Sequence, residues 1–323
     1  MKKLLPLKYT LAFSLYVVAG ISFSLSGYWT YSLVIYGYII IPFIELLYSP
    51  NFKNIIERES MQSKIYDYLI YMMVPLHYLS LSYFFYSIYQ SQETYEIVGR
   101  ILTMGTLSGH SINIAHELGH RGRKFEQNLA KILLLGSLYM HFIIEHNRGH
   151  HKRVATREDP ATARKGEILY FFLCRSILYS YISAWKLEYK RLKDRHKKFI
   201  SFDNEMIEFS IIQVSLCVAI FLFLGLEYLQ YFFIVSLIGI ILLETINYVE
   251  HYGLMRKKDE NGKYEKINAM HSWNANVTLG RVMLFELSSH SDHHLIASKK
   301  YQNLDSHEGA PEHPSGYIGM ILL

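Results

Sequence analysis

Between Lys8 and Glu45 the chain carries no Asp, Glu, Lys or Arg. A helix crossing the hydrocarbon core of a bilayer needs about 20 predominantly apolar residues. Residues 9–44 therefore hold two such helices, with Gly27 and its neighbours Ser26 and Tyr28 as the break. That run excludes a simple soluble fold. Composition agrees: 50% of the chain is hydrophobic and only 19% is charged, against about 25% in an average soluble chain. With 27 Tyr and 18 Phe the chain is also not disordered, since disordered chains lack apolar residues. The 2 Cys, Cys174 and Cys217, can build neither a disulfide scaffold nor a four-cysteine metal site. The net charge of +5 suits basic membrane edges and does not suggest a nucleic-acid surface. The apolar start runs on without a small-residue cleavage site, so it reads as a span and not as a cleaved signal.

The remaining apolar runs predict an all-α integral membrane protein, one domain over residues 1–323. Six transmembrane helices are expected at about 8–26, 28–48, 68–90, 96–116, 207–225 and 228–250. Lys2, Lys3 and Lys8; Lys53, Arg58 and Lys64; Arg121, Arg123 and Lys124; and Arg256, Lys257 and Lys258 flank alternate ends of these spans. The turns near Gly27, Ser91–Thr94 and Glu227 hold no Lys or Arg. Basic loops stay cytoplasmic, so both termini are expected there. Residues 127–144 are apolar but short. A crossing there would separate the last two basic clusters, so this segment is expected at or above the cytoplasmic interface. Residues 165–200 mix aromatics with charges and read as an interfacial or cytosolic helix.

The 16 His are clustered. His116-Glu117-Leu118-Gly119-His120 ends the fourth span. Glu145-His146-Asn147-Arg148-Gly149-His150-His151 follows the short apolar segment. Asn247-Tyr248-Val249-Glu250-His251-Tyr252-Gly253 ends the last span, and His290-Ser291-Asp292-His293-His294 lies beyond it. All four fall on the cytoplasmic side, as a helical cap. His116 and His120 are four apart, as are His146 and His150, with His151 adjacent; His290, His293 and His294 stand at i, i+3 and i+4. Such spacings put imidazoles on one helix face, so three of the clusters can each aim two or three rings at one point. Neutral imidazole suits Fe, Zn, Cu and Ni. So many rings exceed the four-coordinate demand of one zinc, and two metal ions are the economical reading. His116 to His120 also matches H-E-x-x-H, with Glu117 as the base of an intramembrane zinc protease. That alternative leaves the other clusters without a use. A metal transporter would need polar groups along a path through the membrane, whereas these gather on one side.

HELGH, EHNRGHH, NYVEHYG and HSDHH, in this order and spacing, resemble the integral-membrane alkane hydroxylases. These histidine-rich di-iron enzymes are related to xylene monooxygenases and, more distantly, to membrane fatty-acid desaturases. Glu158-Asp159-Pro160-Ala161-Thr162-Ala163-Arg164, His271-Ser272-Trp273-Asn274 and the stretch from Tyr301-Gln302 to Tyr317 agree. One departure is Ser288-Ser289 before His290, where the family commonly has Gln-Arg. The resemblance implies two iron ions held by His116, His120, His146, His150, His151, His251, His290, His293 and His294. It implies oxygen insertion from O2 into a terminal C–H bond of an alkane, giving a 1-alkanol; alkyl-aromatics and fatty acyl chains are the nearest alternative substrates. The expected place is a bacterial inner membrane, where lipid holds the substrate.

A ligating His commonly donates its other N–H to a carboxylate, which makes Glu117, Glu145, Asp159, Glu250 and Asp292 candidates for that role. Glu244, inside the last span, is either functional or a paired carboxylate. His110 and His141 do not stack on a ligand face, and His77, His271, His307 and His313 read as structural or surface residues. Trp29, Tyr31, Tyr36, Tyr38, Phe43, Tyr83, Phe84 and Tyr139 either line a substrate channel or simply pack. The chain has no redox domain of its own, so its two electrons per turnover need a separate donor; the resemblance implies rubredoxin and its reductase. Trp185 to Lys198 carries seven cations against Glu188 and Asp194. It is expected to dock an acidic donor or anionic lipid headgroups.

Overall fold

The computed structural model describes residues 2–47 and 63–323. Lys53 and Arg58, part of the charge argument, lie outside them, as does the expected end of the second span. Helix α1 is Pro6–Ser24 and α2 is Gly27–Leu46. Gly27, at φ 70°, makes the break, a conformation glycine adopts without a Cβ penalty. Then come α3 (Ile65–Gln90), α4 (Thr94–Gly119) and α5 (Lys124–Leu135). The next helix, α6, covers residues 142–153 and contains a π-helical turn, His146–His150. Helix α7 is Leu169–Asp194, α8 is Glu205–Leu224 and α9 is Leu226–His251. The Asn204 side chain caps α8 by accepting from the Met206 and Ile207 amides. Three short helices follow, α10 (Thr278–Met283), α11 (His290–Leu295) and α12 (Tyr317–Leu322). The described residues contain no β-strand, only two isolated bridges.

Five helices, α1, α2, α3, α8 and α9, are long and apolar enough to cross a membrane. Helix α4 has 26 residues but is interrupted by Glu96, Arg100, His110 and Asn113. It tolerates them because it is central, packed on α1, α3, α5 and α9. Its contact with α9 is built from small residues. A Cβ added at Gly239 would sit 2.3 Å from Ser108 Oγ, and one at Gly105 would sit 2.6 Å from Ile238 Cγ2. Small residues let helices approach where no hydrophobic drive exists between them and lipid. Gly239→Val is therefore expected to destabilise the detergent-solubilised protein by about 1–3 kcal/mol, seen as a lower midpoint of thermal unfolding.

Polar fastenings mark the two ends of the bundle. At one end Glu96 Oε1 accepts from the Gly27 amide at 2.6 Å, and Arg100 donates to the carbonyls of Leu25 and Ser87. Arg100, a charge just inside the fourth span, thus ties two turns together. At the other end Lys8 and Tyr9 meet Glu286, Asp67 pairs with Arg121 and Lys300, and Arg148 reaches Glu188 and Glu205. All four histidine clusters lie at this second end.

Residues 127–144 depart from the expected position. Helix α5 runs back along α3, where Tyr71 bonds Glu126 and Tyr78 bonds the Ile132 carbonyl. The chain reverses near Ser137, 3.2 Å from Ser108 on α4, with Leu138 at φ 52°. It then returns through α6 to the histidine end. The segment enters the bundle and returns to the end it left, with Ala130, Leu133 and Leu134 buried against neighbouring helices. Helix α7 lies across the ends of α8 and α9: Phe172 packs on Tyr248, Ser176 bonds Glu244, and Glu188 accepts from the Glu205 amide.

Candidate metal centre

The end of α4 contributes His116 and His120, α6 contributes His146, His150 and His151, the end of α9 contributes His251, and α11 contributes His290, His293 and His294. These rings gather into two groups. His116, His120, His146, His151 and His293 form one; His150, His251, His290 and His294 form the other; within each group the ring nitrogens lie within 4.8 Å of one another. All nine expected rings are brought together.

The division differs from the spacing argument. His146 and His150, four apart, were expected to aim together. The π turn widens the helix there, so His146 pairs instead with His151, their Nε2 atoms 3.0 Å apart, and His150 turns to the other group. Single π turns of this kind are frequent at functional sites. In α11, His290 and His294 do share a group at 3.0 Å, while His293 faces His151 at 3.2 Å. The two densest histidine runs therefore each serve both groups.

Close approach of these nitrogens has a chemical meaning. Facing imidazole lone pairs repel unless a proton or a cation lies between them. An ion bonded to each nitrogen at about 2.1 Å, with the bonds at right angles, sets them about 3.0 Å apart. His150–His294 and His251–His290 at 3.2 Å match that spacing. The buried Nε2 atoms of His116 and His120 have no hydrogen-bond partner among the described residues, which leaves lone pairs available. Burial and the neighbouring rings hold His146, His151, His290 and His294 well below the usual histidine range, and burial takes His293 down to about 3. Neutral rings are the metal-binding form. The donor set fits metal ions and the site is a metal centre.

The carboxylates divide. Asp159 Oδ2 accepts from His150 Nδ1 at 2.9 Å and from Thr162 Oγ1 at 2.6 Å, the orienting contact expected. Burial alone would lower His150, but the Asp159 charge outweighs it and raises the ring's pKa. Glu250 also reaches the site, though differently: its Oε2 is 3.2 Å from His290 Nε2, the nitrogen that faces the group. The other three expectations are corrected, because each carboxylate meets another partner in place of a ring of either histidine group. Glu117 accepts from Arg121 at 3.0 and 3.1 Å and from the Tyr301 amide. Glu145 accepts from Arg153 at 2.6 Å and from Ser183. Asp292 holds Lys299, His307 and the Asp305 amide. With its carboxylate committed to Arg121, Glu117 is not placed as the base of a zinc protease. Glu244 is a paired carboxylate, bonded by Tyr139 and Ser176.

Sequence reasoning missed Thr162, and also Asn274, which accepts from the Ser291 amide at 2.9 Å and donates to its hydroxyl, fixing the start of α11. Their only signal was their place in recognisable segments. His110 bonds the Met283 carbonyl, His271 the Asn268 amide and His313 the Val249 carbonyl, as structural residues. The Ser288 and Ser289 hydroxyls are buried without a hydrogen-bond partner among the described residues. A narrow apolar cavity of about 70 Å³ runs among Leu15, Gly37, Tyr38, Thr106, Leu242 and Ile246 to Asn113, one turn before His116. Of the aromatics expected along a channel, Tyr38 lines this one, whereas Trp29 and Phe43 are exposed.

The fatty acid desaturase family model matches residues 96–318, the part that holds both groups. An alkane 1-monooxygenase of Pseudomonas putida is 38% identical over 88% of this chain and 72% of its own length. Alkane 1-monooxygenase 1 of Alcanivorax borkumensis is 37% identical over 96% of this chain and 77% of its own. The xylene/toluene monooxygenase hydroxylase component XylM of Pseudomonas putida is more distant, 27% identical over 71% of this chain. With paired histidine groups at the end of a helical membrane bundle and these relatives, the chain belongs to the alkane 1-monooxygenase family of oxidoreductases.

Proposed function

We propose that this chain is a di-iron alkane 1-monooxygenase. It takes a terminal C–H bond of an alkane, O2, two electrons and two protons to a 1-alkanol and water. The observation that carries the reading is the separation of nine imidazoles into a group of five and a group of four. Each group is sufficient for one ion with a position left open. Iron so bound supplies the reduction of O2 and the attack on the C–H bond. The protein's part is orientation and dryness. Asp159 fixes the His150 ring through Nδ1, and Glu250 stands where a proton or positive charge can be held against His290. The apolar cavity beside Tyr38 and Thr106 aligns a chain that offers no polar handle and brings its end towards Asn113 and His116.

Six spans, α4 among them, form one domain in a bacterial inner membrane. Termini and the histidine cap face the cytoplasm, where rubredoxin and its reductase deliver electrons. Substrate enters from the lipid. Purified protein is expected to hold about two irons per chain, as the two groups imply. With rubredoxin and reductase, a mixture of alkanes, xylene and fatty acids is expected to yield 1-alkanols. One zinc, no iron and no oxygenated product would overturn the assignment.

A further inference from the structure

The exposed arc of α7 is split lengthwise. Phe171, Cys174, Leu178 and Tyr181 stand on one strip, all exposed. Lys186, Lys190 and Lys193, also exposed, continue from Arg175 along another. The apolar strip suits the membrane surface on which a helix lying across the ends of α8 and α9 must rest. The basic strip is thereby turned away from lipid. It forms one wall of a basin of about 540 Å³, whose other wall is the loop after α6. Six cations line it, Arg153, Arg157, Arg164, Arg175, Lys186 and Lys190, against two carboxylates, Glu158 and Asp159.

Some of that charge is already used. Arg153 pairs with Glu145 and Arg175 with Glu167. Arg191, on the same helix, is bound to Glu188 and the Asp203 carbonyl, so it fastens the helix and is removed from any docking surface. Arg157, Lys186 and Lys190 have no ion-pair partner among the described residues. The basin floor is Asp159, whose carboxylate holds His150 of the four-histidine group.

From this placement we infer that the basin is the docking site of an acidic electron-donor protein. The inference deepens the proposed function and rests on it, since that reading has the electrons for each turnover delivered by rubredoxin. A protein with a carboxylate-rich face meets unpaired guanidinium and ammonium groups there, and docking places its redox centre over Asp159 and His150. Each turnover needs two one-electron carriers in succession, or one carrier docking twice. Anionic lipid is the competing occupant, and the apolar strip argues against it by setting the basin on the aqueous side of α7.

The test uses the full iron-loaded chain in neutral-lipid nanodiscs, with an acidic rubredoxin as probe. The triple variant Arg157→Glu, Lys186→Glu, Lys190→Glu is expected to weaken rubredoxin binding by about tenfold or more at low salt, with iron content unchanged. Wild-type affinity is expected to fall as salt rises. The triple Gln variant, which only neutralises, is expected to give an intermediate loss, and it keeps the test open should the Glu variant misfold. Rubredoxin binding unchanged in both variants overturns the inference. So does a loss confined to sedimentation with phosphatidylglycerol vesicles, which assigns the basin to lipid. Binding is read without turnover: tight, salt-sensitive rubredoxin binding by a chain that oxidises no alkane would overturn the proposed function and leave the docking site standing.

Discussion

His293→Ala and His294→Ala, substitutions at adjacent positions, should each remove about one iron per chain, and from different groups. His293 faces His151 in the group of five, whereas His294 meets His290 and His150 in the group of four. Activity should fall by more than about 100-fold in either case, beyond the 10–100-fold typical of losing an outer partner. Elemental analysis is expected to read close to one iron for each single variant and close to none for the double. Two irons retained in either single variant would remove that histidine from the ligand set. Spectra of the two single variants should differ, since one leaves a five-imidazole environment and the other a four-imidazole one.

The second large effect falls on a residue that binds no metal. Asp159→Ala should weaken iron retention or activity by about 10–100-fold, because His150 loses the acceptor that fixes its tautomer and direction. Asp159→Asn preserves shape and can still accept from His150 through its amide oxygen, but without the charge; it should fall between wild type and Ala. Dialysis against a chelator, followed by iron counting, checks both. Iron loss from both variants at the wild-type rate would reduce Asp159 to a loop residue.

Much of this centre was legible because its signal is local: nine histidines within four short runs, three of the runs at the end of an apolar stretch. Within a run, spacing showed that two or three rings can aim together, and the resemblance implied that all nine meet. Their division could not, because the π turn at His146–His150 adds a backbone register that the side-chain pattern does not announce. The carboxylates were partly legible for a related reason. Proximity in sequence placed Glu117, Glu145 and Asp292 beside ligands, but Arg121, Arg153 and Lys299 reach them first, each over a separation of four to eight residues and through a long side chain whose direction depends on tertiary packing. The dip of α5 was hidden because a short apolar run looks the same whether it rests on a membrane or enters a bundle. The basic face of α7 was visible as composition, yet only the fold shows that Arg191 is spent on Glu188 while Lys186 and Lys190 are not.

Because α6 and α11 each feed both groups, the two groups are not independent cups. On the proposed two-ion reading, filling either cup should hold the same two helices that shape its neighbour, so a second ion should meet a receptor partly prepared by the first. Loading should be steep in metal concentration, with half-filled molecules scarce, and a cell short of iron would hold a mixture of fully armed and empty enzyme.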